Sequence, residues 1–199
     1  MKVYLIRHGK TEANEKHLYC GSTDLPLSEV GKAELRKLSY GQPRGVYATS
    51  GMKRTEETLA LLFGDVPHKI IPGLREVDFG SFEMRSYAQL KDDQAYQAWI
   101  TGNNERNVPP GGESGEQMTR RVLAAWAEVL ETGEDHILVT HGGVIAALMD
   151  KLFPEEGKSR YQWQPKPGRG WLLTKKEAGW AYRQLNSEKC GIANQSGLC

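Results

Sequence analysis

Two short apolar runs in the chain each end in a histidine that could do chemistry. Residues 3–6 lead into Arg7 and His8, and residues 137–139 lead into His141. An uncharged imidazole is a good nucleophile toward phosphorus, and the planar fork of an arginine matches the oxygens of a phosphate. These residue types therefore indicate a site that binds a phosphate group and attacks it.

The runs that carry these residues are predicted to be buried β-strands, because they are rich in branched aliphatic residues and too short for a stable helix. Strands alternate with helices along the chain, which is the order of an α/β fold with a mostly parallel sheet. Predicted strands are at residues 3–6, 45–50, 68–71, 136–140, 171–174 and 180–185, the last two forming a hairpin. Predicted helices are at residues 28–38, 54–63, 87–99 (one or two short helices), 115–130 and 144–152.

These elements predict a three-layer α/β/α sandwich. We expect residues 1–186 to form a single domain and residues 187–199, which are polar and without periodicity, to form a loosely held tail.

The histidines converge if the first strand and the strand at 136–140 are parallel neighbours, since the carboxyl ends of parallel strands share one edge of a sheet. Arg54 follows the second strand, so it reaches the same edge. Two arginines and two histidines in one small volume repel each other unless an anion such as phosphate neutralises them.

Release of an alcohol from a phosphate ester also requires a proton donor, which a carboxylic acid can supply. The candidates from loop-like stretches are Glu76, Asp78, Glu83 and Glu113. Glu113 is either a second acid or a carboxylate that stabilises the start of the following helix.

Composition excludes several classes of partner. The 199 residues have a formal net charge of +1 and no basic block, so a nucleic-acid partner is not expected. No apolar run approaches the roughly 20 residues that span a bilayer, and no signal peptide is evident. The three widely spaced cysteines favour a reducing, cytoplasmic compartment. The histidines lack metal-ligand spacing, so neither a metal nor a cofactor is expected, and no oligomeric state is predicted.

Five motifs, in this order, resemble those of the histidine phosphatase superfamily, whose fold is phosphoglycerate-mutase-like. They lie at residues 7–9, 50–55, 74–80, 110–114 and 140–142. The resemblance implies that His8 becomes a phosphohistidine and that Glu76 donates the proton to the leaving group. It also implies that Arg7, Arg54 and His141 hold the phosphoryl oxygens.

Weaker expectations concern the rim of the same pocket. Asn14 and the amides of Gly21 and Gly142 are further candidates for contacts with the phosphate. Two positions depart from the usual residues of the superfamily: Lys10 stands where an acid or amide is common, and Cys20 where a hydroxyl or amide is common. Cys20 is either a reactive thiol or a small buried filler.

Within the superfamily, the chain resembles the α-ribazole phosphatases, which dephosphorylate α-ribazole 5′-phosphate during assembly of the cobalamin nucleotide loop. This similarity rests on residues 18–21, 79–85 and 96–99. Aromatic and methionine side chains near these segments either cap the site and hold an aromatic leaving group such as a benzimidazole, or pack in the core.

Three alternatives remain open: a broad-specificity phosphatase, a phosphoglycerate mutase and a catalytically inactive module that binds phospholigands. The resemblance implies that mutases have a longer, more basic segment after the acid. Here Arg85, Lys91 and Arg106 are the only cations between Glu76 and Pro109, which favours hydrolysis. An inactive module is disfavoured because His8 and Glu76 are both present.

Overall fold

A six-stranded sheet lies at the centre of the computed structural model, which describes residues 1–102 and 105–189. The strands are β1 (Lys2–Arg7), β2 (Leu38–Ser39), β3 (Val46–Thr49), β4 (His68–Ile70), β5 (His136–Thr140), β6 (Gly170–Lys176), β7 (Gly179–Gln184) and β8 (Glu188–Lys189). Their order in the main sheet is β4-β3-β5-β1-β6-β7. Strands β4, β3, β5 and β1 are parallel to one another. Strand β6 pairs antiparallel with β1 and also with β7, with which it forms the predicted hairpin. The predicted α/β fold with a mostly parallel sheet is confirmed.

The helices connect these strands. They are α1 (Glu12–Glu15), α2 (Glu29–Leu35), α3 (Lys53–Phe63), α4 (Tyr87–Leu90), α5 (Gln94–Thr101), α6 (Gly115–Glu131), α7 (Gly142–Leu152) and α8 (Arg160–Trp163). Short 3₁₀ turns occur at Pro72–Leu74, Gly80–Phe82 and Pro154–Glu156. No helix of the described residues is long and apolar enough to cross a membrane.

Successive residues of the central strands point to opposite faces of the sheet, and each face is covered by helices. Leu5 and Leu138 belong to a core cluster with α6 and α7, whereas Ile6, Ile137 and Val139 belong to a second cluster with α2 and α3. This alternation is the period of two expected for a strand buried on both sides. It gives the three layers that the sequence predicts.

The register of the central strands aligns their carboxyl ends. Arg7 of β1 pairs with Thr140 of β5, so His8 and His141 follow at the same level. Thr49 of β3 pairs with Val139, which places Ser50 beside them. The parallel, adjacent arrangement of β1 and β5 that the sequence analysis requires is observed.

Residue 38 is an exception to the predicted helix at 28–38. The helix α2 ends at Leu35, and Leu38 lies in β2, which pairs antiparallel with β8 in a separate two-stranded sheet. A helical period continues through Leu38 in the sequence, but backbone pairing with a distant segment overrides it. The tail predicted at 187–199 begins at this pairing, and its residues from 190 onward lie outside the described residues.

Candidate active site

His8 directly follows β1 and is 5% exposed. Its Nδ1 lies 2.6 Å from the carbonyl oxygen of Gly9. A carbonyl only accepts, so Nδ1 carries the ring proton and Nε2 retains its lone pair. Burial, followed by the charges of Arg54 and Arg7, lowers the pKa of His8 well below its ordinary value. The unliganded site therefore holds a neutral imidazole with a free nucleophilic nitrogen.

His141 occupies the residue position just before the first turn of α7 and is fully buried. Its ring centroid is 5.1 Å from that of His8, with the rings in an edge-to-face arrangement. Burial, then the charges of His8 and Arg54, lower the pKa of His141 well below its ordinary value. The predicted convergence of the two imidazoles is thus observed, and both are neutral while the site is unliganded.

Both predicted arginines lie beside the histidines. Arg54 is fully buried and donates from Nη1 to the carbonyl of Thr23 at 2.8 Å and from Nη2 to the carbonyl of Gly21 at 2.7 Å. Arg7 donates from Nη1 to the carbonyl of Pro165 at 3.0 Å, and burial lowers its pKa despite the opposing charge of Glu76.

One donor of Arg7 is left over. Its Nε is buried and has no hydrogen-bond partner in the described part of the chain. A buried, unsatisfied donor costs about 1–3 kcal/mol, more when the group is charged. An oxyanion bound beside this nitrogen would remove that cost.

Glu76 lies at the edge of the pocket, against the first turn of α7. Its Oε2 accepts the amide of Gly143 at 2.9 Å, and its Oε1 accepts the amide of Val77 at 3.0 Å. A Cβ added at Gly143 would lie 2.3 Å from Oε1, so a side chain at this position would displace the carboxylate. Because Gly143 is two residues after His141, these hydrogen bonds hold the carboxylate of Glu76 near that histidine. The side chain is half-buried and retains access to solvent.

Glu83 organises a loop instead of facing the phosphate pocket. Its carboxylate accepts the amides of Gly21 at 2.9 Å, Ser22 at 3.0 Å, Thr23 at 3.3 Å and Phe79 at 3.1 Å. The amide of Gly21 thus donates to Glu83 in this structure, and its contact with phosphate stays a prediction. The carbonyl of Gly21 holds Arg54.

The other two carboxylates are also engaged elsewhere. Glu113 forms an ion pair with Arg121, whose Nε lies 3.1 Å from Oε2, and it accepts the amide of Asp78 at 3.2 Å. Asp78 accepts the hydroxyl of Ser22 at 2.9 Å and the amide of Gly80 at 2.8 Å. Both therefore brace the loop that presents Glu76, which leaves Glu76 as the candidate acid.

Three side chains near the nucleophile are engaged in local contacts. Asn14 accepts the amide of Thr11 at 3.0 Å and its hydroxyl at 3.1 Å, a capping box for α1. Lys10 pairs with Glu34 at 2.7 Å, so its charge is directed away from the pocket. The Oδ1 of Asn14 thus holds the loop after His8, and the contact of Asn14 with phosphate stays a prediction.

Cys20 and Gly142 have packing roles. The thiol of Cys20 is half-buried and donates to the carbonyl of Thr23 at 3.6 Å, and burial raises its pKa, which favours a packing role over a reactive thiol. Gly142 begins α7 beside Arg7, and a Cβ there would lie 3.1 Å from the guanidinium. Glycine at 142 lets that arginine approach the histidines.

Sequence reasoning missed two buried hydroxyls behind His141. Ser50 and Thr55 lie within the predicted Arg54 motif, but only the fold places them against a ring 91 residues away from Ser50. A serine after a strand and a threonine in the first turn of a helix are common, so no local signal distinguishes them.

An apolar cavity of about 490 Å³ adjoins the pocket on the side of Gly143. Its aromatic wall is formed by Tyr19, Phe79 and Trp99, whose ring centroids lie 5.1 to 6.1 Å apart. The hydroxyl of Tyr19 is 2.7 Å from that of Tyr96. The cavity therefore offers flat, largely apolar surfaces next to the candidate acid.

No group of three or more histidine, cysteine, aspartate or glutamate side chains is arranged to hold a metal ion among residues 1–102 and 105–189. The charges that face the histidines come instead from arginines.

Comparison with known protein families shows which family the chain belongs to. Residues 3–188 match the model of the histidine phosphatase superfamily, branch 1. The chain belongs to this superfamily. Adenosylcobalamin/alpha-ribazole phosphatase of Salmonella typhimurium is 33% identical over 84% of this chain and 87% of its own.

Solved structures of the superfamily have the same fold. The alpha-ribazole phosphatase from Shigella flexneri matches with a TM-score of 0.84 and 29% identity, covering 98% of this chain and 100% of its own. The phosphoglycerate mutase from Thermus thermophilus matches with a TM-score of 0.68 and 28% identity, covering 94% of this chain and 98% of its own. The phosphoglycerate-mutase-like fold and the phosphatase family predicted from the sequence are confirmed.

Proposed function

We propose that this enzyme hydrolyses phosphate monoesters through a phosphohistidine at His8 and that its substrate is α-ribazole 5′-phosphate. One observation carries the reaction: His8 presents a neutral Nε2 to a pocket lined by a second buried histidine and the unpartnered Nε of Arg7. A phosphoryl group is the ligand that satisfies both the nucleophile and the donor.

The reaction requires two in-line displacements. In the first, Nε2 of His8 bonds to phosphorus, the bond to the ester oxygen breaks, and that oxygen takes a proton from Glu76. In the second, Glu76 as a carboxylate takes a proton from water, whose oxygen attacks phosphorus and releases phosphate from His8. Arg7, Arg54 and His141 stabilise the charge on the phosphoryl oxygens in both steps.

The aromatic cavity supports the choice of substrate. A phosphate at His8 would direct its ester group past Glu76 toward Gly143, which lines the cavity. The aromatic rings of the cavity wall, inclined to one another by 59 to 86°, offer faces and edges that suit a flat heterocycle such as a benzimidazole. The name of the Salmonella typhimurium relative points to the same substrate.

The mutase alternative is less well supported. A mutase must hold a second anionic group, yet Arg85 pairs with Asp93 at 3.4 Å and Arg106 pairs with Glu116 at 2.9 Å. These two cations are thus engaged, and so is Arg160, which lines the cavity beside the acid and pairs with Glu105 at 2.8 Å. We further propose a cytoplasmic location, in keeping with the free thiol of Cys20.

A comparison of kcat/KM tests the substrate. We expect α-ribazole 5′-phosphate to exceed glucose 6-phosphate by about tenfold or more, because about 1–3 kcal/mol of aromatic contact is available to the benzimidazole and not to a hexose. Trp99→Ala should reduce this preference, and Tyr87→Ala, an exposed aromatic that does not line the cavity, should preserve it. A flat profile would remove the α-ribazole assignment and leave the phosphatase assignment standing.

Two further assays test the reaction class. EDTA should leave the rate unchanged, since arginines supply the cationic charge. Conversion of 3-phosphoglycerate at a rate exceeding phosphate release would instead identify a mutase.

A further inference from the structure

Two buried hydroxyls connect His141 to the backbone behind it. Nε2 of His141 lies 2.8 Å from Oγ of Ser50, which lies 3.1 Å from Oγ1 of Thr55. Thr55 in turn donates to the carbonyl of Met52 at 2.7 Å. His141, Ser50 and Thr55 are each 0% exposed, so this hydroxyl chain is sealed from solvent.

The direction of each hydrogen bond in the hydroxyl chain follows from two groups at its ends, one that can only donate and one that can only accept. Nε of Arg54 can only donate, and it donates to Nδ1 of His141 at 3.3 Å, so Nδ1 is unprotonated. The proton of the neutral ring is therefore on Nε2 and is donated to Ser50. The hydroxyl of Thr55 donates its one hydrogen to the carbonyl of Met52, so Ser50 must donate to Thr55.

This arrangement does not fit a bound dianion. Nδ1 accepts a hydrogen bond from Nε of Arg54, and the oxygens of a dianion are also acceptors. His141 can bind such an oxygen through Nδ1 only if Nδ1 gains a proton and the Nε–H of Arg54 turns from Nδ1 to the dianion. The Nε2 proton can stay because Ser50 accepts it in both states. The hydrogen-bond chain ends on a carbonyl, which stabilises a cationic ring.

Burial, and after it the surrounding charges, lower the pKa of His141 and disfavour a second proton on its ring. Cationic or titratable groups face His141 from the end of β1, from α3 and from α6: Arg7, His8, Arg54 and Arg121. Glu76, held at the first turn of α7 by Gly143, is the nearby carboxylate. A dianion would offset the cations and reverse the balance.

We propose that Ser50 and Thr55 are positioning residues that orient Nδ1 of His141 toward the phosphate and allow it to take up one proton when a dianion binds. The proton comes from solvent: one N–H bond forms at Nδ1, and no bond of the ligand breaks. The proposal rests on the phosphate pocket of the proposed function, but it does not depend on which ester is hydrolysed.

Sulfate is the suitable probe, because it remains a dianion throughout the accessible pH range and cannot itself supply the proton. Calorimetry of sulfate binding at pH 7, in two buffers of different ionisation enthalpy, should show uptake of about one proton per site. In ¹⁵N-histidine NMR spectra, the Nδ1 signal of His141, assigned with His141→Gln, should change from unprotonated to protonated. Binding without proton uptake, or a proton that appears on His8 instead, would overturn the proposal.

Variants of the hydroxyl chain test its two members. Ser50→Ala leaves the Nε2–H of a buried cation without an acceptor, so sulfate should bind about tenfold more weakly or worse. Its affinity should also fall away at a lower pH than in the wild type. Thr55→Val, which removes the hydroxyl at nearly constant volume, should have a smaller effect of the same sign, and Thr55→Ser should restore binding.

The outcomes separate this proposal from the proposed function. An enzyme that fails to hydrolyse phosphate esters could still take up a proton with sulfate, and an active enzyme could bind sulfate without one. If Ser50→Ala does not fold, the wild-type calorimetry and NMR still decide. Unchanged sulfate affinity and pH profile in a folded Ser50→Ala protein would refute the role of the hydroxyl chain.

Discussion

At the scale of single residues, the site depends on which nitrogen of each histidine holds a proton. The Gly9 carbonyl fixes the proton of His8 on Nδ1, and Ser50 fixes that of His141 on Nε2. The lone pair of His8 is therefore on Nε2, and that of His141 is on Nδ1, where it accepts from Nε of Arg54. A nucleophile needs such a lone pair throughout, whereas a group that stabilises phosphate oxygens needs a proton, so the same starting state leads to two different roles.

Replacement of the nucleophile should abolish turnover. We expect His8→Ala to reduce kcat by about 10³-fold or more, because without a nucleophile only binding and charge stabilisation remain. Stopped assays with ³²P-labelled substrate should trap a phosphoenzyme in the wild type but not in the variant. The matched control is His68→Gln at an exposed position, and a near-normal rate in His8→Ala would contradict the mechanism.

The same two histidines should make folding stability depend on pH. Their pKa values lie well below 6.5 in the folded protein, mainly through burial, whereas in the unfolded chain they titrate near 6.5. Below that pH the unfolded chain binds more protons, so the free energy of unfolding should decrease as the pH falls from about 7 to about 5.

Urea unfolding across this pH range measures the effect, and His141→Gln should reduce the slope. His68 serves as the control: partial burial lowers its pKa, but hydrogen bonds to Val66 and Glu56 outweigh this and raise it overall. His68→Gln should therefore not reduce the loss of stability at low pH. A stability that is independent of pH in the wild type would contradict the neutral state of the buried pair.

At the scale of elements, the strand ends supply the chemistry and the loops hold it in place. The loop at residues 20–24 lies between the Glu83 carboxylate, which accepts its amides, and Arg54, which donates to its carbonyls. One acidic side chain therefore positions Arg54 through the loop, although the two side chains bond to different groups of that loop.

Glu83→Gln should weaken this loop. An amide has one acceptor oxygen instead of two and presents hydrogens to the backbone N–H groups, so Arg54 loses fixed carbonyl partners. We expect kcat/KM to fall by about tenfold or more with a modest loss of stability, as measured by steady-state kinetics and thermal unfolding. Glu12→Gln, in an exposed ion pair with Lys16, is the matched control and should leave kcat/KM unchanged.

At the scale of the whole molecule, the sheet acts as a common support for the site and for both cores. All five residues of β5 are buried, and its side chains alternate between the two core clusters. His141 follows β5 directly, so packing on both faces of the sheet fixes the position of the ring.

Leu138→Ala should lower the free energy of unfolding by about 2–5 kcal/mol, because it leaves a cavity in the centre of β5. Denaturant unfolding should show a lower midpoint. Val30→Ala, at an exposed position of α2, should change stability by about 0.5 kcal/mol or less. An equal effect of the two substitutions would argue against the central position of Leu138.

The sequence by itself determined the α/β class, the family, and the residues His8, Arg54, His141 and Glu76 at or near strand ends. These follow from local patterns: short apolar runs, turn residues and motifs of adjacent residues.

Only the tertiary structure decided the hydrogen-bond partners. The amide of Gly21 is bound by Glu83, 62 residues away, and the ring of His141 is held by Ser50, 91 residues away. Glu113 similarly forms its ion pair with Arg121 of α6. The physical reason is that burial forces each polar group to find a partner, and packing decides which distant group is within reach.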